Sequence, residues 1–274
     1  MIKMSWAATA AACVMALSLE AVALVGWQGW YRTAPVTPSP QAQLLQVPAA
    51  AADVVQAQSQ RQLAELARLP LTMTLPDDSY YAQLRARIRW VETRMGGDKL
   101  LTPDAGSRVL LAKSAAERAR LDEVGLSFKD VYGIINAETS WVPRLGSSKD
   151  GTPNLGIAQF EPATARALGL RNPNDSVEAI HVAARHMKDA ALWSAGRIAA
   201  LPLDSDERAE KLREGVSIFY NLSTRGRNTW NGRNTSKLPI ETRLHIRNAR
   251  TGAQQAAELE AQQAHSGGFM LTGG

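Results

Sequence analysis

The chain has 274 residues, 45% hydrophobic and 21% charged, an ordinary balance for a globular protein of one or two domains. Its 31 basic and 26 acidic residues leave a formal charge of +5, too small and scattered to indicate nucleic acid; it reads as solubility charge, with an anionic partner the weaker alternative. The single cysteine, Cys13, excludes an intramolecular disulfide, and the four histidines are too few and too spread for a metal set.

Residues 5–30 are apolar or small, with one formal charge, Glu20. A bilayer core is crossed in about 20 residues, and Trp6, Trp27, Trp30 and Tyr31 bracket the run as interfacial anchors would. Residues 1–32 are therefore expected to be a retained transmembrane anchor. A cleaved signal peptide and a buried soluble helix are the alternatives. Glu20 reads either as a protonated, lipid-facing carboxyl or as a contact with another membrane protein. Residues 33–52, with Pro35, Pro38, Pro40 and Pro48, read as an extended linker.

Residues 53–126 read as a helical accessory region. A loose apolar stripe (Val54, Ala57, Leu63, Leu66, Leu69) predicts a helix over 53–69. Residues 71–75 are a short alternating piece ended by Pro76. A helix capped by Asp78 or Ser79 is predicted to run to about Met95, because Leu84, Ile88, Val91 and Met95 fall at helical spacing, and Gly96-Gly97 stops it. A third helix is predicted over 106–121.

Ser127 reads as an N-cap with Asp130 at N3, a capping-box variant, and Phe128, Val131, Ile134 and Ile135 supply the apolar face of a helix ending at Thr139 or Ser140. Residues 146–156 form a polar loop. Pro162 fits the first turn of a short helix ending at Gly169. Residues 172–176 make a turn and cap, followed by helices over 177–194 and 205–221. His181 and His186, five apart, read as two surface residues of the first of these. Residues 225–238 read as loop, and Pro239 opens a last helix to about Arg250. Residues 251–274, rich in Gln and Gly, are expected to be a flexible tail with at most a helical piece near Ala256. The expected fold class is all-α.

Glu138 stands out near the end of an otherwise apolar helix. Ile134 and Ile135 precede it and Trp141 follows three residues later, so its carboxyl is expected to be poorly solvated, as suits a general acid. Position alone leaves open an ordinary helix-end glutamate facing solvent.

From here the residues resemble a known family. Glu138-Thr139, Trp141, Pro143 and Ser147 are followed by Gly156-Ile157-Ala158-Gln159 and Pro162-Ala163-Thr164-Ala165. The turn at 172–176, the pair Tyr220-Asn221, and Pro239, Glu241, Thr242 and His245 come next. In this order the blocks resemble the SLT-type lytic transglycosylases, relatives of goose-type lysozymes, over residues 127–250. The chain departs from the family pattern in five places, the first being that the family's Gly-Ala before the Gly156-Ile157-Ala158-Gln159 block is missing. Thr139 stands for the usual Ser, the 149–154 loop is longer, Leu222-Ser223 replaces Ala-Gly, and His245 replaces an aromatic of the closing element.

The resemblance implies a lysozyme-like catalytic domain over 127–250, preceded by accessory helices and the membrane helix. It implies peptidoglycan glycan strands as substrate and Glu138 as the one acid/base, cleaving the bond between N-acetylmuramic acid and N-acetylglucosamine to leave a 1,6-anhydromuramyl end. A two-carboxylate glycosidase needs its acids about 5–9 Å apart, and no second acidic residue stands out in the motifs. Thr139, Trp141, Ser147, Gln159, Tyr220 and Asn221 are the expected substrate-binding residues, and Gly156, Glu241 and Thr242 the structural residues near the site. Gln159 binds either sugar or loop backbone, and Trp141 is core, groove wall or both. No metal and no organic cofactor is implied. The expected location is a single-pass inner-membrane protein with a periplasmic catalytic domain, opening the wall for a secretion or conjugation machine. A phage virion component is the alternative setting. The competing function is a catalytically weak glycan-binding or scaffolding domain of an envelope-spanning assembly.

Overall fold

The computed structural model describes residues 49–69, 71–73, 75–148 and 150–269. The chain divides into two units, 1–49 and 50–274. The expected membrane helix with Glu20, and nearly all of the linker, lie outside the described residues. Among the described residues no helix is long and apolar enough to cross a membrane. The single-pass inner-membrane reading, with its periplasmic domain, is corrected on that finding.

The all-α expectation is also corrected: the fold is mostly helical with two small antiparallel sheets. Helix α1 (Ala49–Arg68) is exposed over residues 56–65, so Ala57 and Leu63 of its loose stripe bury little. Helix α2 (Asp77–Arg87) ends eight residues before Met95. The chain then forms strand β1 (Trp90–Met95), paired antiparallel with β2 (Asp98–Pro103) from Trp90↔Pro103 to Met95↔Asp98. The register leaves Gly96-Gly97 as a two-residue hairpin loop, and Gly96 takes φ +61°, which such loops require and glycine supplies at no steric cost. The helical spacing of Ile88, Val91 and Met95 is thus a coincidence, overridden by the β-forming Trp90, Val91 and Thr93 and the glycine pair.

Helix α3 (Ala105–Ala119) starts at Asp104, whose carboxylate accepts from the Ser107 N–H at 2.7 Å. Helix α4 (Phe128–Thr139) has the complete capping box of Ser127 and Asp130. A second sheet pairs β3 (Gly146–Ser147) with β4 (Pro153–Asn154). Helices α5 (Pro162–Ala167), α6 (Ser176–Ile198) and α7 (Ser205–Asn221) follow, then a short α8 (Thr224–Arg227) inside the expected loop. Helix α9 (Ile240–Phe269) runs 30 residues, through most of the expected flexible tail.

The core joins the accessory region to the rest. Tyr80, Tyr81 and Leu84 of α2, Leu111 and Ala115 of α3, Val131 and Ile135 of α4, Ile180 and Met187 of α6, and Val216 of α7 form one cluster. Each fully buried aliphatic of this kind contributes about 1.5–3 kcal/mol. Ala256 of α9 is fully buried in the same cluster, and Leu259 packs against it, which is why the helix continues past Arg250. A smaller cluster of Ile198, Ile218, Trp230 and Leu238 lies beside it.

His181 and His186 are not surface residues. His181 is 2% exposed, and its Nδ1 lies 2.7 Å from the Val177 carbonyl oxygen, which only accepts. Nδ1–H therefore donates there, Nε2 accepts from the Ser114 hydroxyl at 2.8 Å, and the Tyr80 hydroxyl donates to Ser114 at 2.7 Å. Burial pushes the His181 imidazole down to about 4. His186 is half-buried among Phe160, Phe219 and Tyr220, and desolvation lowers its pKa as well.

Candidate active site

Glu138 sits on the last turn of α4, and its side chain is 15% exposed. Its Oε1 lies 2.7 Å from Nε2 of His245 on α9, which is nearly buried. Nδ1 of the same ring lies 2.6 Å from Oγ of Ser217 on α7, itself 1% exposed. Three helices thus contribute one residue each to a chain Ser217–His245–Glu138. The carboxylate is the most accessible of its three side chains.

The turn after Glu138 is held in uncommon backbone. Ser140 (φ +54°) and Trp141 (φ +68°) both occupy the left-handed region, which is rare for a bulky side chain and persists only where the surroundings enforce it. Several bonds do so. Arg144 donates from Nη1 to the Thr139 carbonyl at 2.6 Å and from Nη2 to the Glu138 carbonyl at 3.1 Å, placing a cation on the C-terminal end of α4. Thr102 at the base of the β1–β2 hairpin donates to the Trp141 carbonyl at 2.8 Å. The Thr139 hydroxyl donates to the Ile157 carbonyl at 2.8 Å.

The 156–160 turn closes the other side. Gly156 (φ +69°) has the Pro173 carbonyl where a Cβ would stand. Gln159 (φ +50°) donates its amide to the Arg144 and Gly156 carbonyls at 2.9 and 2.8 Å. Its NH₂ is thereby spent on loop backbone, the second of the two roles open to it from sequence. Tyr220 donates its hydroxyl to the Ala158 carbonyl at 3.2 Å, and its ring stacks on His245 at 6.5 Å between centroids. Desolvation, and then the charge of Glu138, raise the Tyr220 pKa well above its usual value.

The remaining expected residues divide. Trp141 is fully buried with its ring 4.7 Å from that of Tyr132, so it is core and not a groove wall. Thr139 is fully buried as well and presents no surface to a sugar. Ser147 is exposed on β3 and donates to the Ser148 carbonyl. Asn221 is exposed at the end of α7, where its Oδ1 accepts from the buried Thr242 hydroxyl at 2.8 Å, tying α7 to the first turn of α9. Glu241 is exposed in that first turn, where a carboxylate suits the helix dipole. Glu161 accepts from the Ser148 hydroxyl at 2.9 Å.

Sequence reading did not single out three side chains of this hydrogen-bonded cluster. His245 was visible only as the place where the closing element loses its aromatic. Ser217 lies three residues before Tyr220, on the same face of α7, but nothing local marks it. Arg144 gives no signal until the αL turn is known.

A cavity of about 280 Å³ opens between α4, α7 and α9, lined by Asp130, Ile134, Arg213 and Ile246 among others. It does not include Glu138, and the Asp130–Arg213 ion pair at 2.8 Å occupies its wall. Among the described residues no group of three His, Cys, Asp or Glu side chains could hold a metal ion. No protein-family model, curated protein or solved structure matches the chain.

Proposed function

We propose that the chain is a lytic transglycosylase that cleaves peptidoglycan glycan strands, with Glu138 as its acid and base. The observation that carries the reading is the accessible carboxyl at the end of the buried Ser217–His245–Glu138 chain. A serine hydrolase would need the opposite arrangement, with an accessible serine and a buried acid. At 1% exposure Ser217 has no route to a substrate, which favours chemistry at the carboxyl.

The ordered motif blocks that resemble the SLT-type enzymes support the substrate. In that reaction Glu138 protonates the glycosidic oxygen between N-acetylmuramic acid and N-acetylglucosamine. The muramic acetamido group stabilises the electron-poor sugar carbon. Glu138, now a carboxylate, takes the proton of the muramic 6-hydroxyl as that oxygen closes onto C1. The products are a free N-acetylglucosamine 4-hydroxyl and a 1,6-anhydromuramyl end. Gln159, Tyr220 and Arg144 support the site by fixing its backbone (Gln159 through its own amide bonds), not by contacting the scissile bond.

The test is incubation of the full chain with purified sacculi and mass spectrometry of the released muropeptides. Anhydro ends support the proposal. Reducing ends would make the enzyme a hydrolase, and no release would leave the glycan-binding alternative.

A further inference from the structure

His245 is the least expected member of the site, and its two ring nitrogens are both engaged. We propose that His245 is the positioning residue of Glu138: its Nε2–H holds Oε1 and leaves Oε2 as the oxygen that exchanges protons with substrate. This role rests on the glycan-cleaving reading, whereas the hydrogen-bond chain itself does not.

The argument starts from the donors. A carboxylate oxygen only accepts, so at 2.7 Å the bond to ionised Glu138 requires the proton on Nε2. A neutral imidazole with its proton on Nε2 presents Nδ1 as an acceptor, and the Ser217 hydroxyl, 2.6 Å away, is the group that donates to it. The carboxylate, which only accepts, thus selects the Nε2–H tautomer, and the Ser217 hydroxyl, able to donate or accept, satisfies Nδ1 in it. The ring has little freedom to do otherwise. It is 6% exposed and stacks on Tyr220 at an interplanar angle of 16°. Thr242, one turn earlier on α9, is tied to Asn221 on α7, so the helix that carries the ring is docked to the helix that carries Ser217.

A helix-end glutamate with a free carboxyl would sample several rotamers. Held at Oε1, it keeps one, and the other oxygen has a fixed direction in both halves of the reaction. Neither half transfers a proton to His245. The ring gives its hydrogen bond to Oε1 before and after Oε2 releases its proton to the leaving oxygen.

Two readouts test the role. The first is independent of substrate. In the full chain with ¹⁵N-labelled histidine, long-range ¹H–¹⁵N spectra should show His245 as a fixed Nε2–H tautomer, its signals assigned by their loss in His245→Gln. Ser217→Ala should leave the proton on Nε2, where the carboxylate holds it, and shift the Nδ1 resonance that loses its donor. A wild-type ring that averages its tautomers, or that carries its proton on Nδ1, would overturn the proposal. The second readout is turnover on sacculi. His245→Leu should lower kcat up to about 100-fold with KM little changed, the scale of a misplaced reacting group. His245→Gln places an amide N–H near the same point and should recover most of the loss. Equal loss in a folded Leu variant and a folded Gln variant would reduce His245 to a packing residue, as would wild-type turnover in the Leu variant. If the wild-type chain releases no anhydro ends, the glycan reading falls, and the spectra still decide the hydrogen-bond chain.

Discussion

Gly252 on α9 seats against Gly133 on α4 with no room for a Cβ on either residue. A methyl at Gly133 would overlap the Ala249 carbonyl, which is backbone and cannot turn away. A methyl at Gly252 would meet Asn136, whose amide is itself bonded to the Asn248 carbonyl at 3.1 Å. The close crossing sets how α9 presents His245 to Glu138.

Gly133→Ala is therefore expected to destabilise. Helix propensity alone would favour Ala by about 1 kcal/mol, but forcing an extra methyl into a packed contact costs about 1–3 kcal/mol. A rigid carbonyl neighbour puts this site at the upper end. Urea unfolding should show a lower midpoint for Gly133→Ala and for Gly252→Ala alike, because the Asn136 Cβ and Gly133 Cα that a methyl at Gly252 would meet are fixed by the α4 backbone. A midpoint for Gly133→Ala at or above wild type would mean the helices do not meet there.

How much of this was legible beforehand depended on where the signal lay. The α4 start was readable because capping chemistry is local: Ser127 and Asp130 need only each other and three backbone N–H groups. The end of α9 was not. Its packing face is Ala249, Gly252, Ala253 and Ala256, residues that look featureless in a hydropathy pattern and are valuable only because α4 offers a glycine opposite. The hairpin was legible in principle, since Gly96-Gly97 between β-forming runs is a hairpin sign, but a helical spacing of apolar residues masked it. Glu138 could be named from motif order, whereas its partners could not. His245 and Ser217 are 107 and 79 positions away, and only the docking of α7 and α9 brings them to the carboxyl.

Gly156→Ala tests the turn that faces the site. The position combines a left-handed φ with a carbonyl in the place of Cβ. Both work against alanine, and the backbone strain alone costs about 1 kcal/mol or more. The Gly156 carbonyl also receives the Gln159 amide, so the loss should extend to the site and not stop at stability. Thermal unfolding should report a lower Tm, and sacculus cleavage at a temperature where the variant is folded should report lower turnover. A Tm within error of wild type would show that the turn relaxes freely.

The buried His181 makes stability depend on pH in a stated direction. Its folded pKa is about 4, below the ordinary 6.5. Above pH 6.5 the ring is neutral in both states and contributes no slope. Between 6.5 and 4 the unfolded chain takes up the proton and the folded chain does not, so stability falls as pH falls. From pH 7 to pH 5 the loss is about 2 kcal/mol for this group alone, and His186, lowered in the same direction, adds to it. Unfolding free energies of wild type and His181→Gln should converge as pH drops. Parallel curves would place the ring in contact with solvent.

Glu138→Gln carries the most weight. The change keeps the size of the side chain and keeps an Oε1 that accepts from His245, so the buried bond survives and Tm should move little. What it removes is the proton that, in the proposed reaction, leaves and returns. General acid–base help is worth about 10²–10⁴ in rate, and one group serves both halves of the reaction, so the loss should fall in the upper part of that range. Tyr220→Phe supplies the contrast. It deletes a hydroxyl directed at the Ala158 carbonyl, which costs about 0.5–1.5 kcal/mol of stability and leaves the acid in place. Turnover of the Phe variant should therefore stay far above that of the Gln variant. The measurement is release of anhydromuropeptides at matched concentration of folded protein. Release by Glu138→Gln within a few-fold of wild type would remove the carboxyl from the reaction and, with it, the one-carboxyl mechanism.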